Sequence, residues 1–192
     1  MGDNHFGAGP LPSNFNQLVN LTSLTIYSTN HTQFPTVVNT IPSLKSYDHG
    51  FSNALTGWGN LATLVNLDTL SIPGGINLTP VLPAYLSSLT KLKTLALRRF
   101  GTTPSNKLDT LINNLYDFVS TNAAMTGANS LPFRGMNINV SVISIGDATQ
   151  TPSGINQQPA GYVQGISNGT PATPKEKIWV MVNQYGHIWI TK

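Results

Sequence analysis

The sequence predicts an α/β fold in which short strands recur at a near-regular interval and stack into a solenoid. Two observations predict it. A pattern L-x-x-L-x-L returns through the first hundred residues, and the second half alternates helical stripes with strands. The length agrees: 192 residues suit a single domain. We read it as one domain over 1–192, with regular repeats over 1–100 and either irregular helix-containing repeats or a C-terminal cap over 101–192.

The template is Leu21-Thr22-Ser23-Leu24-Thr25-Ile26. Ile41-Pro42-Ser43-Leu44-Lys45-Ser46 repeats it with Ser46 in the last apolar slot, and Leu67-Asp68-Thr69-Leu70-Ser71-Ile72 and Leu92-Lys93-Thr94-Leu95-Ala96-Leu97 repeat it cleanly. The second leucines then fall at 24, 44, 70 and 95, in steps of 20, 26 and 25. The segments leading into the first and fourth strands share a second pattern. Leu11-Pro12-Ser13-Asn14-Phe15 opens L-P-x-x-F-x-x-L-x-x-L, and Leu82-Pro83-Ala84-Tyr85-Leu86 opens the same Leu-Pro and leucine spacing with its aromatic residue one place earlier. Alternating leucines of each strand point into a shared core, the returning arm adds Leu or Phe, and neighbouring coils bury what one coil cannot.

On these motifs, over residues 11–100, the chain resembles the leucine-rich-repeat family, and its Leu-Pro arms with a following Phe or Tyr are similar to those of plant and bacterial surface proteins. The resemblance implies a curved right-handed solenoid with a parallel sheet on its concave side, whose usual work is binding a macromolecule. The second half, with Pro152-Ser153-Gly154 after its strand, is similar to bacterial and bacteriophage leucine-rich-repeat proteins.

In that second half, Leu108, Leu111, Ile112, Leu115, Tyr116, Phe118 and Val119 follow helical spacing after the cap signal Thr103-Pro104-Ser105. Met136, Ile138, Val140 and Val142 alternate with polar residues, as in a half-buried strand. Residues 146–172 read as a long loop or linker. Thr173-Pro174-Lys175-Glu176 is a capping box, Ile178, Met181, Val182 and Tyr185 form the next stripe, and His187–Thr191 reads as a closing strand. The tail either extends the same sheet or forms a small separate α/β cap. At the other end, residues 1–20 form an irregular cap, or a neighbouring chain covers the first coil.

Composition excludes several functions. Charged residues make up 9% of the chain, against roughly 25% in an average soluble protein. Thr, Asn and Ser take their place. A net charge of +3 resting on so few groups argues against nucleic-acid binding. No apolar run is long enough to insert into a membrane. The first residues lack a signal-peptide pattern. The absence of cysteine removes thiolate metal sites and thiol catalysis. His5, His31, His49 and His187 form no metal-binding spacing, no nucleotide loop exists, and there is no Gly-x-Ser-x-Gly elbow. No metal, cofactor or catalytic residue is therefore expected. Asp48 and Asp68, one coil apart, are the one carboxylate pair worth testing for glycoside hydrolysis.

The binding candidates lie beside the inward leucines, where side chains face out. Counting from the template, one outward row holds Thr25, Lys45, Ser71, Ala96 and Asn137, and the next holds Tyr27, Tyr47, Pro73, Arg98 and Asn139. Tyr27 and Tyr47 stack in this reading, with Arg98 two coils on. Tyr and Arg suit a binding surface because they bury area and still hydrogen-bond, although paired tyrosines also stabilise neighbouring strands. Lys91, Lys93, Arg98, Arg99 and Lys107 cluster nearby, as a grip for an acidic ligand or as a solvated edge. Trp58 and Trp189 read as core or edge residues. The expected function is a non-enzymatic recognition module, extracellular, on a bacterial cell surface or a phage virion. It would bind a glycan or protein receptor through Tyr27, Tyr47, Arg98, Lys45, Thr25 and Ser71. The alternative is a structural component docking with other chains of an assembly through the solenoid ends.

Overall fold

The computed structural model describes residues 10–27, 30–50, 54–72, 77–98, 107–121, 137–141, 157–163, 167–184 and 188–191. Strands β1 (Ser23–Tyr27), β2 (Ser46–Gly50), β3 (Thr69–Ile72) and β4 (Thr94–Arg98) come first. Helix α1 (Lys107–Thr121), β5 (Asn137–Ser141), the short strands β6 (Tyr162–Val163) and β7 (Ser167–Asn168), helix α2 (Pro174–Asn183) and β8 (Ile188–Thr191) follow. One six-stranded sheet runs β1-β2-β3-β4-β5-β8, and every neighbouring pair is parallel. The strands of the tail thus extend the same sheet, with β6 and β7 apart as an antiparallel pair. The fold is α/β.

Parallel strands need crossover connections, and the connections explain the proline pattern. The 3-10 helices Ser13–Gln17, Thr36–Thr40 and Ala84–Ser88 each follow a proline, namely Pro12, Pro35 and Pro83. Proline fixes φ near the value these turns need and removes an N–H that a helix start leaves without a partner. The Phe34-Pro35 arm belongs to the same set as Leu11-Pro12 and Leu82-Pro83, with Phe in place of Leu. In the second half, α1 and α2 replace these arms.

The strand register corrects one unit of the sequence pattern. Leu24 pairs with Tyr47, Tyr47 with Leu70, and Leu70 with Leu95. The true steps are therefore 23, 23 and 25. Leu44 is the first, not the second, leucine of its unit, and Tyr47 and His49 fill the slots that Leu70 and Ile72 fill next door. The backbone ladder confirms the phase. The Thr22 carbonyl accepts from Lys45 and Ser46 N–H at 2.8 and 3.0 Å, and the Lys45 carbonyl accepts from Asp68 and Thr69 at the same distances. The Asp68 carbonyl does likewise for Lys93 and Thr94. On the far side of each unit the Thr32 carbonyl accepts from Thr56 and Gly57, and the Thr56 carbonyl from Thr79.

The core is one cluster between sheet and arms. Ile41, Leu44, Leu64, Leu67, Leu70, Leu89 and Leu92 are fully buried. Trp58 is buried, as the sequence indicated, with its indole N–H donating to the Thr79 carbonyl at 3.1 Å. The side chain of Trp189 lies outside the described residues. In α1, Leu111, Ile112 and Leu115 face inward, and in α2 so do Ile178, Val180 and Met181. Lys177 Nζ lies 5.4 Å from the centre of the Tyr116 ring, joining the two helices. Trp179 meets Tyr162 edge-to-face at 4.4 Å.

The capping box forms as read. Thr173 Oγ1 accepts from the Glu176 N–H, and Glu176 Oε2 accepts from Thr173 N–H at 2.8 Å and Ala172 N–H at 2.9 Å. These backbone donors hold the Glu176 carboxyl below its ordinary pKa. Thr173→Ala removes the cap and is expected to cost about 1 kcal/mol in urea unfolding. An unchanged midpoint would mean that the α2 start is held by packing alone.

Candidate functional site

The register decides which side chains share the sheet face turned away from the core. Thr25, Asp48, Ser71 and Ala96 form one row, since Thr25 pairs with Asp48, Asp48 with Ser71, and Ser71 with Ala96. Ser23, Ser46, Thr69 and Thr94 form the row beside it. Among the described residues of β1–β4 the face carries Ser and Thr hydroxyls, Ala96 and a single carboxylate, Asp48, on β2. Thr25 is exposed, and Asp48 and Ser71 are half-buried.

Tyr27 lies at the margin of this face and remains 39% exposed. It pairs in register with Gly50, not with a second tyrosine. Its ring lies across that glycine: a Cβ at residue 50 would sit 2.2 Å from Tyr27 Cδ1. Any side chain there would collide with the Cδ1–Cε1 edge of the ring, so Gly50 is what lets Tyr27 reach across the neighbouring strand.

Tyr47 is not part of the outward face. It is fully buried in the row of Leu70 and Leu95. The reason is the three-residue shift in register, which exchanges inward and outward positions. The expected Tyr27–Tyr47 stack therefore does not exist. Lys45 is exposed but precedes β2 and belongs to a different ladder, on which Thr22, Lys45, Asp68 and Lys93 follow one another. Asp48 takes the outward position assigned to Lys45. Arg98 ends β4 opposite Ser141, and its side chain lies outside the described residues. So do Pro73 and Arg99, and the side chains of Asn137, Asn139 and Lys107. Asn139, not Asn137, shares the register of Thr25. Asp48 and Asp68 are not neighbouring rungs: Asp48 sits beside Ser71, and Asp68 sits beside Lys45 and Lys93.

Inside the second unit lies a polar cluster that sequence reasoning missed. Tyr47 Oη and His49 Nδ1 are 2.7 Å apart and both residues are buried. His31 faces His49 with ring centres 5.6 Å apart. Phe34 packs edge-on against Tyr47 at 5.6 Å, against His49 at 5.4 Å and against Trp58 at 6.3 Å. Burial pushes the Tyr47 hydroxyl pKa well up, with the Asp48 charge adding to it. Burial, and then the neighbouring His31, push the His49 pKa down to about 4. The signal that marks this cluster in the sequence is the even 23-residue step, which puts Tyr47 and His49 where leucine and isoleucine belong.

Beneath Asn30, His31, Gln33 and Phe34 a cavity of about 520 Å³ opens beside Pro10 and Leu11. Among the described residues no group of three or more His, Asp or Glu could hold a metal ion, and no helix is long and apolar enough to cross a membrane. Comparison with family models, with curated proteins and with solved structures finds no match to the chain.

Proposed function

We propose that the chain is a leucine-rich-repeat solenoid acting as a non-enzymatic recognition module that holds a glycan on the concave face of its sheet. The observation that carries this reading is the composition of that face among the described residues: a row of Ser23, Ser46, Thr69 and Thr94, the Thr25 and Ser71 hydroxyls flanking a carboxylate at Asp48, and an exposed ring at Tyr27. Sugar hydroxyls are donors and acceptors at once. They pair well with Ser and Thr hydroxyls, and a carboxylate accepts from two of them through strong charge-assisted bonds. The apolar side of a pyranose fits an amphipathic ring such as Tyr27. A protein partner fits less well, because protein hot spots rest on several large Trp, Tyr or Arg anchors, and among the described side chains the face offers one tyrosine once Tyr47 is placed in the core. The setting we propose is a bacterial cell surface or a phage virion, consistent with a surface poor in charge and rich in Thr, Asn and Ser.

A glycan array probed with the wild type and with Tyr27→Ala and Asp48→Asn tests this. Binding should weaken about tenfold or more in each variant. Wild-type binding that both variants retain would move the site off the sheet, and an array with no wild-type binding would end the glycan reading.

A further inference from the structure

Charge is scarce in the repeats, and most of it gathers on one rim of the sheet. Between residues 10 and 97 the sequence holds five charged residues: Lys45, Asp48, Asp68, Lys91 and Lys93. Asp48 belongs to the outward face of β2. The other four lie together where the chain enters its strands. Lys45, Asp68 and Lys93 are consecutive on one ladder: the Lys45 carbonyl accepts from Asp68 N–H and the Asp68 carbonyl from Lys93 N–H, each at 2.8 Å. Lys91 stands two residues before Lys93. All three lysines are exposed, and Asp68 is half-buried.

Local structure puts these groups beside the hydroxyls of the face. In each unit two residues separate consecutive buried side chains: Lys45 and Ser46 between Leu44 and Tyr47, Asp68 and Thr69 between Leu67 and Leu70, Lys93 and Thr94 between Leu92 and Leu95. The second of each pair belongs to the hydroxyl row, and the first forms its rim. Lys91 Nζ donates to Asn66 Oδ1 at 2.6 Å, and Asn66 Nδ2 donates to the Pro42 carbonyl at 2.9 Å. These contacts hold one ammonium in place and leave its other N–H donors for a ligand. Three lysines against one carboxylate leave the rim positive.

We propose that this rim selects a linear glycan in which acidic and neutral sugars alternate, lying across the strands from Lys45 to Lys93. The proposal rests on the glycan reading above and names the class of glycan. Its ground is the order of charges: positive, negative, positive. Adjacent strands lie roughly 4.8 Å apart, so the two lysines stand about 10 Å apart with the carboxylate midway. An exposed pair with Asp68 is worth under about 1 kcal/mol and holds neither lysine back from a ligand. A chain with an acid on every sugar meets repulsion at Asp68. An alternating chain sets its carboxylates on the lysines, while hydroxyls of the neutral sugar between them donate to Asp68.

Biolayer interferometry of the full chain against three polymers tests the rim. Hyaluronan alternates a uronic acid with a neutral sugar, polygalacturonate is acidic at every sugar, and dextran is neutral. Hyaluronan is expected to bind tightest. Lys45→Gln and Lys93→Gln should each weaken it about threefold, and the double variant about tenfold. Asp68→Asn should strengthen polygalacturonate about threefold and narrow its gap to hyaluronan. The lysines are exposed, so their variants decide the matter even if Asp68→Asn fails to fold. Dextran bound as tightly as hyaluronan, or hyaluronan binding that the double lysine variant retains, would overturn the rim and leave the glycan reading standing. Polygalacturonate bound tighter than hyaluronan by the wild type would overturn the alternation. Failure to bind any of the three would overturn the proposal too, while the glycan array decides the broader reading.

Discussion

Lowering the pH from 6.5 to 4 will remove about 3 kcal/mol of stability from this protein, and His49→Leu will abolish most of that dependence. The sign follows from the direction of the shift. His49 is fully buried, and its folded pKa lies near 4 against 6.5 for the free side chain. In the interval between them the unfolded chain takes up the proton and the folded chain does not. Acid therefore favours unfolding. The contribution is complete above pH 6.5, falls through the interval and levels off below about pH 4.

The groups around the ring explain why the folded state refuses the proton. Phe34 and Tyr47 pack against it, and His31 faces it. The Tyr47 hydroxyl, which burial keeps protonated, lies 2.7 Å from Nδ1, within hydrogen-bond reach of the neutral ring. Asp48, the adjacent carboxylate, sits on the strand position that faces away from the core. Urea unfolding across this pH range measures the effect. A slope that persists unchanged in His49→Leu would assign the acid sensitivity to the carboxylates instead.

The same cluster shows what was legible in the sequence and what was not. Leu24, Leu70 and Leu95 could be placed directly, because leucine alternation marks an inward position. The helices α1 and α2 and the strands β5 and β8 were legible too, since their spacing and the Thr173–Glu176 cap are local signals. Tyr47 was not legible by residue type. A tyrosine beside an aspartate reads as surface, and Leu44 offered a tempting but wrong anchor for the repeat. The evenness of the step was the better guide, because successive strand-and-arm units of one parallel sheet keep similar lengths while any one inward residue can vary. The outward face depended on that one choice: it gained Asp48 and lost Tyr47 and Lys45. The seating of Tyr27 over Gly50 lies beyond sequence reading altogether, since it requires knowing which residue of the next strand stands opposite.

Leu70→Ala will be among the most damaging single substitutions in the sheet, at about 3–5 kcal/mol, while Leu24→Ala at the same repeat position will cost less. Both leucines point inward, and the chemistry removed is identical. Leu70 is fully buried between the units of Tyr47 and Leu95, so truncation leaves a cavity walled on both sides. Among the described residues Leu24 pairs with Tyr47 on one side only, and it is half-buried. Its side chain already meets solvent, so much of the transfer term is absent and no closed cavity forms. Chemical denaturation of both variants at low protein concentration measures the gap. Equal losses there would mean that Leu24 is covered within the single chain.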